Sequence, residues 1–303
     1  MVSRKMKSKK KKPPEEGMIG SLKKGQRRVF LGCLIFFVSL FHIALSDGFA
    51  RTVKARSASI IRARSAVVVD AVTEKVLYSK DPDRPLFPAS TTKLMTAILA
   101  VENNPLSETV IISNNASHAP PTKAGLREGS RVTVEGLLYA ALVKSANDAA
   151  IALAEAVAGS EEDFVKRMNE KAASIGALNT RFINSTGLSG PGQYTTAVDL
   201  SRIMKYTLQY PKLREILRTL VARVETEEGK ILSLRNTDRL LWSDDEIIGG
   251  KTGYTANAGH CFVCAAENGT KTVIVAVLGS SSRNALWKET ERLIGRGLQA
   301  AIH

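Results

Sequence analysis

The sequence predicts an α+β fold: a mostly antiparallel sheet assembled from both ends of the chain, flanked by helices, with a helical lobe inserted between. Three observations predict it. Short apolar, β-branched runs open the region after residue 64 and return after residue 220. Helical periodicity fills the stretch between them. Turn signals at Glu228-Gly229 and Asn268-Gly269 join the late runs as hairpins, which makes their pairing antiparallel.

Taken in order, residues 66–69 form an apolar run ended by Asp70, and residues 76–78 follow a turn at Thr73-Glu74, a first hairpin. From Ser90 to Val101 the pattern turns helical, with Leu94, Ile98 and Val101 on one side. Helical spacing recurs over 133–144, 147–158, 161–175, 195–210 and 212–220. Thr133 with Glu135, and Ser160 with Glu161 and Glu162, supply start signals for two of these helices. Residues 220–225 and 230–234 flank Glu228-Gly229 as a hairpin, and 247–252, 259–266 and 272–279 are the remaining strands. Residues 284–302 form an amphipathic helix, expected to pack on the sheet rather than lie on a membrane.

The chain of 303 residues is long enough for one large domain or two modest lobes. Its formal net charge of +14 suggests nucleic acid until it is divided along the chain. Residues 1–28 hold eleven Lys or Arg and two Glu, residues 51–64 add five Lys or Arg, and residues 65–303 are close to neutral. The basic balance therefore describes a leader, and a nucleic-acid partner is not expected. After Arg27-Arg28 comes an uncharged apolar run, 29–45, then Gly48-Phe49-Ala50 with small residues placed for cleavage after Ala50. Residues 1–50 thus read as a basic leader carrying a signal peptide or a retained membrane anchor, 51–64 as a linker, and 65–303 as the folded domain. The positive-inside rule puts the N-terminus in the cytosol and exports the domain, to the periplasm or the outer face of the cell membrane.

Cys33 lies in the apolar run. Cys261 and Cys264 form a lone C-x-x-C in a predicted strand, where positions i and i+3 face opposite sides. Neither a disulfide nor a shared metal fits that pair, and core packing is expected. No metal or cofactor is expected. A histidine triad is excluded as well: His42 is in the leader, His303 is terminal, and His118 and His260 lack any partner motif.

Three triplets carry the chemistry. Pro88-Ala89-Ser90-Thr91-Thr92-Lys93 places Ser90 and Lys93 one helical turn apart at a helix start, a nucleophile beside a base. A serine there is ordinarily only an N-cap. A lysine base must be neutral, and at an ordinary pKa only about one in 2,500 is neutral at pH 7. Burial and a second cation must lower it, so the mechanism itself requires another lysine. Ser145-Ala146-Asn147 lies at a helix junction, where Ser and Asn are expected as caps. The functional alternative makes Ser145 a proton relay and Asn147 a tether for substrate or for Lys93. Lys251-Thr252-Gly253 ends a predicted strand. A turn is the bland reading; the functional one makes Lys251 an anchor for a substrate carboxylate and lets a substrate backbone approach Gly253. Each triplet alone is a weak signal, and the ordered set is a strong one.

With these motifs the chain resembles the low-molecular-mass penicillin-binding proteins, the serine D-alanyl-D-alanine carboxypeptidases. The resemblance extends through Leu94-Met95-Thr96-Ala97, Val143 to Ala150, Asn184-Ser185-Thr186-Gly187-Leu188, Gln193 to Ala197 and Gly250 to Thr255, and it covers roughly residues 65–280. It implies a β-lactamase/transpeptidase-like fold. It also implies an oxyanion hole from the backbone N–H of Ser90 and a second N–H near Tyr254 or Thr255. The implied reaction is acyl transfer. Ser90 attacks between two D-alanines while Lys93 takes its proton, Ser145 relays a proton to the leaving D-Ala, and Lys251 and Thr252 hold the terminal carboxylate. The implied partners are peptidoglycan stem peptides as substrate, β-lactams as inhibitors and the membrane through the N-terminal segment. A D,D-endopeptidase using the same residues is the alternative. A β-lactamase is disfavoured, because residues 182–190 carry no acid to drive deacylation. Many members have a C-terminal β-domain and a terminal amphipathic anchor; the chain ends too early for the β-domain, and the N-terminal segment is the expected tether.

Overall fold

The computed structural model describes residues 61–269 and 271–300. The leader and most of the linker expected from the sequence lie outside them. The chain opens with the hairpin β1 (Ser65–Asp70) and β2 (Val76–Lys80). A 3₁₀ turn, Ala89–Thr92, runs directly into α1 (Lys93–Asn103). The lobe that follows contains β3 (Thr109–Ile111), α2 (Asn114–Ser117), β4 (Arg131–Thr133), α3 (Val134–Val143), α4 (Asn147–Ala158), α5 (Glu161–Ser174), α6 (Ala197–Thr207) and α7 (Pro211–Arg218). After the hairpin β5 (Val221–Glu225) and β6 (Ile231–Arg235), and a 3₁₀ turn at Leu240–Trp242, the chain returns to the sheet. It does so with β7 (Ile247–Thr255), β8 (Gly259–Glu267) and β9 (Thr272–Ser280), and closes with α8 (Arg283–Gln299).

Both ends of the chain build one antiparallel sheet of order β2-β1-β9-β8-β7, as the alternation of strand and helix signals predicts. The sheet is covered on both faces, which is why its central strands are apolar through their middles, with polar residues only at their ends. Val68, Phe262, Cys264, Val275 and Val277 meet Leu286, Trp287, Leu293 and Ile294 of α8. Val67, Val263, Ala276 and Leu278 turn the other way, into the core of the helical lobe. Lys251 pairs with Val263 in register, so its side chain belongs to the lobe face. Cys261 and Cys264 are both buried free thiols, and they join the cores on opposite faces, as a strand spacing of three requires.

Several of the helices begin where the sequence offers an oxygen acceptor. The side chains of Thr133, Ser160, Thr196 and Ser282 accept the N–H of Gly136, Asp163, Asp199 and Ala285. Helix α4 ends at Gly159, whose φ of +76° supplies the left-handed residue of a helix C-terminus. Helix α1 is buried on every side from Lys93 to Ala100, so it is the central rod of the lobe.

Two details differ from the sequence expectation. Strands β3 and β4 are three residues each, too short for an alternation to be seen. Residues 61–64, assigned by composition to the linker, are part of the fold. The N–H groups of Arg62 and Ala63 donate to the two carboxylate oxygens of Glu289 at 2.7 and 3.1 Å, and Lys80 Nζ donates to the carbonyls of Ile61 and Ala63. Those tethers come from residues that are remote in sequence, so no local pattern announces them.

Phe164 of α5 is fully buried in the lobe core. Phe164→Ala should lower the unfolding free energy by about 3–5 kcal/mol, read from the urea midpoint at unchanged slope.

Candidate active site

The three triplets converge, and their convergence is set by backbone first. Ala89 has φ of +49° and Ser145 φ of +64°, a conformation that L residues adopt at a cost. At Ala89 it turns the chain into the 3₁₀ start of α1, with Ser90 half-buried and Lys93 fully buried one turn on. At Ser145 it holds the hydroxyl between α3 and α4. Ser145 and Asn147 are therefore not caps: Asn147 is the first residue of α4, and the cap position is held by Ala146, with no side-chain bond.

Lys93 Nζ lies 3.0 Å from Ser90 Oγ, 2.7 Å from Asn147 Oδ1 and 2.8 Å from the carbonyl of Thr186. All three contacts run from the Lys93 amine as donor to an oxygen, so the amine is enclosed by acceptors from three segments. Asn147 spends both of its own donors elsewhere, on the carbonyls of Pro120 and Pro121 at 3.0 and 3.1 Å, and its backbone N–H meets the Thr122 carbonyl. It thus fixes the 120–122 loop to Lys93.

Lys251, also fully buried, reaches across from β7 and donates to Ser145 Oγ at 2.8 Å and to the carbonyl of Thr252 at 2.9 Å. A Cβ at Gly253 would lie 2.9 Å from both Ala89 Cβ and the Ser90 nitrogen, so the Ala89–Ser90 turn rests directly on β7. The Thr252 hydroxyl is 2.6 Å from that of Thr237, which is exposed.

The electrostatics follow from burial. Lys93 is held well below the ordinary lysine pKa, first by desolvation and then by the charge of Lys251, against a smaller opposing pull from Asp148. Desolvation also brings Lys251 down to about 7, opposed by Asp238. Asp148 is buried and accepts the N–H groups of Ala124, Gly125, Leu126 and Ala149, so it ties the 120s loop to α4.

Sequence reasoning missed Thr186, Asp148, Thr237 and Asp238. Thr186 acts through its carbonyl, which any residue would supply, though the quoted segment Asn184 to Leu188 contains it. That segment is shaped by Asn184, whose Oδ1 accepts the Gly187 N–H at 2.7 Å, and by Thr96, whose hydroxyl donates to the Ser185 carbonyl. Among the described residues no histidine joins the site; His260 instead stacks on Tyr254 at 4.4 Å between ring centroids. Among the described residues no cluster of His, Cys, Asp or Glu could hold a metal ion.

The sequence profile of the D-alanyl-D-alanine carboxypeptidases matches residues 52–282. The chain is 36% identical over 263 residues to the D-alanyl-D-alanine carboxypeptidase DacF of Bacillus subtilis, covering 84% of this chain and 68% of that protein. It is 35% identical over 275 residues to a D-alanyl-D-alanine endopeptidase of Escherichia coli, covering 85% of this chain and 87% of that one. Among solved structures, the Streptomyces K15 DD-transpeptidase superposes with a TM-score of 0.75 at 31% identity, over 80% of this chain and 98% of its own.

Gly187 has φ of +86°, and a Cβ on it would fall 1.8 Å from the Ala89 carbonyl oxygen. Gly187→Ala should therefore push the Thr186 carbonyl off Lys93 and destabilise the domain by roughly 3 kcal/mol or more. Thermal melting of the purified variant checks this.

Proposed function

The chain belongs to the D-alanyl-D-alanine carboxypeptidase family, and from that premise we propose that Ser90, Lys93 and Ser145 carry its reaction. The activity is that of a serine-type D-Ala-D-Ala carboxypeptidase, which removes the terminal D-alanine from peptidoglycan stem peptides. The observation that carries the assignment of residues is the 3.0 Å contact between Ser90 Oγ and a lysine amine whose pKa burial and a second lysine bring well below the ordinary value.

In this reading Ser90 Oγ attacks the carbonyl carbon between the two D-alanines and its proton passes to Lys93 Nζ. The backbone N–H of Ser90 and one near Tyr254 or Thr255 receive the oxyanion. When the C–N bond breaks, Ser145 gives its hydroxyl proton to the leaving amine and is resupplied by Lys251, a step supported by their 2.8 Å bond. Thr252 and Thr237 offer hydroxyls to the carboxylate of the departing D-alanine. Lys251, buried and already bonded, acts on that carboxylate through its charge. Water then attacks the acyl carbon, Ser90 leaves with a proton returned by Lys93, and the proton lost by the water restores Lys251.

The loop facing Lys93 offers no acid to activate water, and Glu161 behind it is engaged by the N–H and hydroxyl of Ser185. A penicillin adduct on Ser90 is therefore expected to decay slowly. The endopeptidase relative favours a second reading, in which the same residues cut cross-links. Digestion of purified peptidoglycan separates the two: free D-alanine marks the carboxypeptidase, and shortened cross-linked species mark the endopeptidase. Export rests on the basic leader and the apolar run 29–45. That run is outside the described residues, among which no helix is long and apolar enough to cross a membrane.

Ser90→Ala should abolish labelling by fluorescent penicillin while leaving the melting temperature unchanged; persistent labelling sinks the assignment. The rate of penicillin acylation against pH should be a bell. Its acid limb belongs to Lys93 losing its proton far below the ordinary lysine range, and its alkaline limb to Lys251 losing its own from about 7 upward. Lys251→Met removes the repulsion on Lys93, so the acid limb should move to higher pH by about one unit or more.

A further inference from the structure

Helix α8 has an outer face that the packing of the domain does not use. Its apolar side, with Leu286, Trp287, Leu293 and Ile294, is spent on the sheet. Outward it presents Lys288, Arg292 and Arg296, all three exposed. Positions four apart advance by about 40° around a helix, so these cations form one stripe. Glu291 is the one exposed acid of the helix, because its other glutamate, Glu289, is buried. Residues 65–303 as a whole are close to neutral, so the surplus of positive charge is local. Among the described residues the ion pairs lie elsewhere, and none engages Lys288, Arg292 or Arg296. Arg296 is held over Tyr78 of β2, its Cζ 4.7 Å from the ring centroid, a contact that leaves its charge in place.

The chain enters the domain on the same flank. Glu289 and Arg296 are about two turns apart, on one side of the helix. The Glu289 carboxylate accepts the N–H groups of Arg62 and Ala63, and Lys80 Nζ donates to the carbonyls of Ile61 and Ala63. Residues 61–63 are thereby fixed beside the stripe, and the exposed Arg62 adds a fourth cation. Residues 46–60 join this point to the apolar run 29–45, and a segment of that length reaches at most about 50 Å. A tether held at a membrane therefore draws on this flank of the domain. Lys251 belongs to the lobe face of the sheet and α8 covers the other. With α8 toward the membrane, the Ser90 centre is on the side away from it.

We propose that the outer stripe of α8, with Arg62, seats the domain on the anionic phospholipid headgroups of the membrane that holds its tether. The contact is electrostatic and stays at headgroup level, because the apolar side of α8 is already packed and not free to insert. The proposal rests on the reading of residues 29–45 as a retained membrane anchor. For the test, the full chain is reconstituted into nanodiscs of phosphatidylcholine with or without phosphatidylglycerol. Its lysines are reductively methylated and read by mass spectrometry. With phosphatidylglycerol present Lys288 should react roughly fivefold more slowly, or slower still. Lys166, on α5, should be unchanged. Salt at about 0.5 M, which shortens the Debye length to about 4 Å, should restore the reactivity of Lys288. In the double variant Arg292→Glu, Arg296→Glu the protection should be lost while penicillin labelling stays as in wild type. Both substitutions are at exposed positions, and the wild-type comparison between lipids stands without them. Equal reactivity in the two compositions, or protection that survives the double substitution, overturns the proposal. Protection by soluble poly(glycerol phosphate) with none from phosphatidylglycerol assigns the stripe to a wall polyanion and overturns it too. A chain that elutes free of both kinds of disc sinks the anchor reading and the docking with it. A chain that co-elutes with Lys288 equally reactive sinks the docking alone.

Discussion

Two lysines buried in one centre are the constraint around which this domain is arranged. Each ammonium loses its hydration on folding, and each raises the electrostatic energy of the other. The fold accommodates them unequally. Lys93 is held well below the ordinary lysine pKa, and its three neighbours are oxygens from three separate segments: Ser90, Asn147 and Thr186. Lys251 retains a partly charged amine with Ser145 and a backbone carbonyl as acceptors. Two buried carboxylates, Asp148 and Asp238, lie near enough to oppose the desolvation, each held by backbone N–H groups. A site of this kind cannot be assembled by one lobe. It needs the helical lobe for one amine and the sheet for the other.

Bringing them together requires backbone to approach backbone closely. Gly253 and Gly187 allow the Ala89–Ser90 turn to lie against β7 on one side and against the Thr186 loop on the other. Ala89 and Ser145 carry left-handed conformations that glycine would take more cheaply. Two of the four left-handed non-glycine residues among those described thus aim the two serine hydroxyls, and the surrounding packed core over-determines them.

Much of this was legible in the sequence because it depends on local pattern. Strand runs at both ends, helical spacing between, and the Asn268-Gly269 turn were enough for the antiparallel sheet and the inserted lobe. Ser90, Lys93, Ser145 and Lys251 stood out because the chemistry needs those side chains, and the demand for a second lysine followed from the pKa of the first. What escaped was supplied by groups without a chemical signature. The Thr186 carbonyl, the Pro120 and Pro121 carbonyls, and the N–H groups that hold Asp148 are generic backbone atoms made specific only by tertiary position. Asn147 was given two possible partners, and the geometry assigns its amide oxygen to Lys93 and its amide N–H groups to the loop. The tether of residues 61–64 to Glu289 joins positions more than two hundred residues apart, which no window on the sequence can see.

Helix α1, enclosed by other elements over its first eight residues, begins at the turn that carries Ser90. Its amides should be among the last to exchange with solvent, since opening them means dismantling the lobe around them. The Ser90 hydroxyl is consequently mounted at the start of the best-enclosed helix of the lobe. Adjustment to substrates of different size must then come from the loops at the rim, which can vary without disturbing the centre.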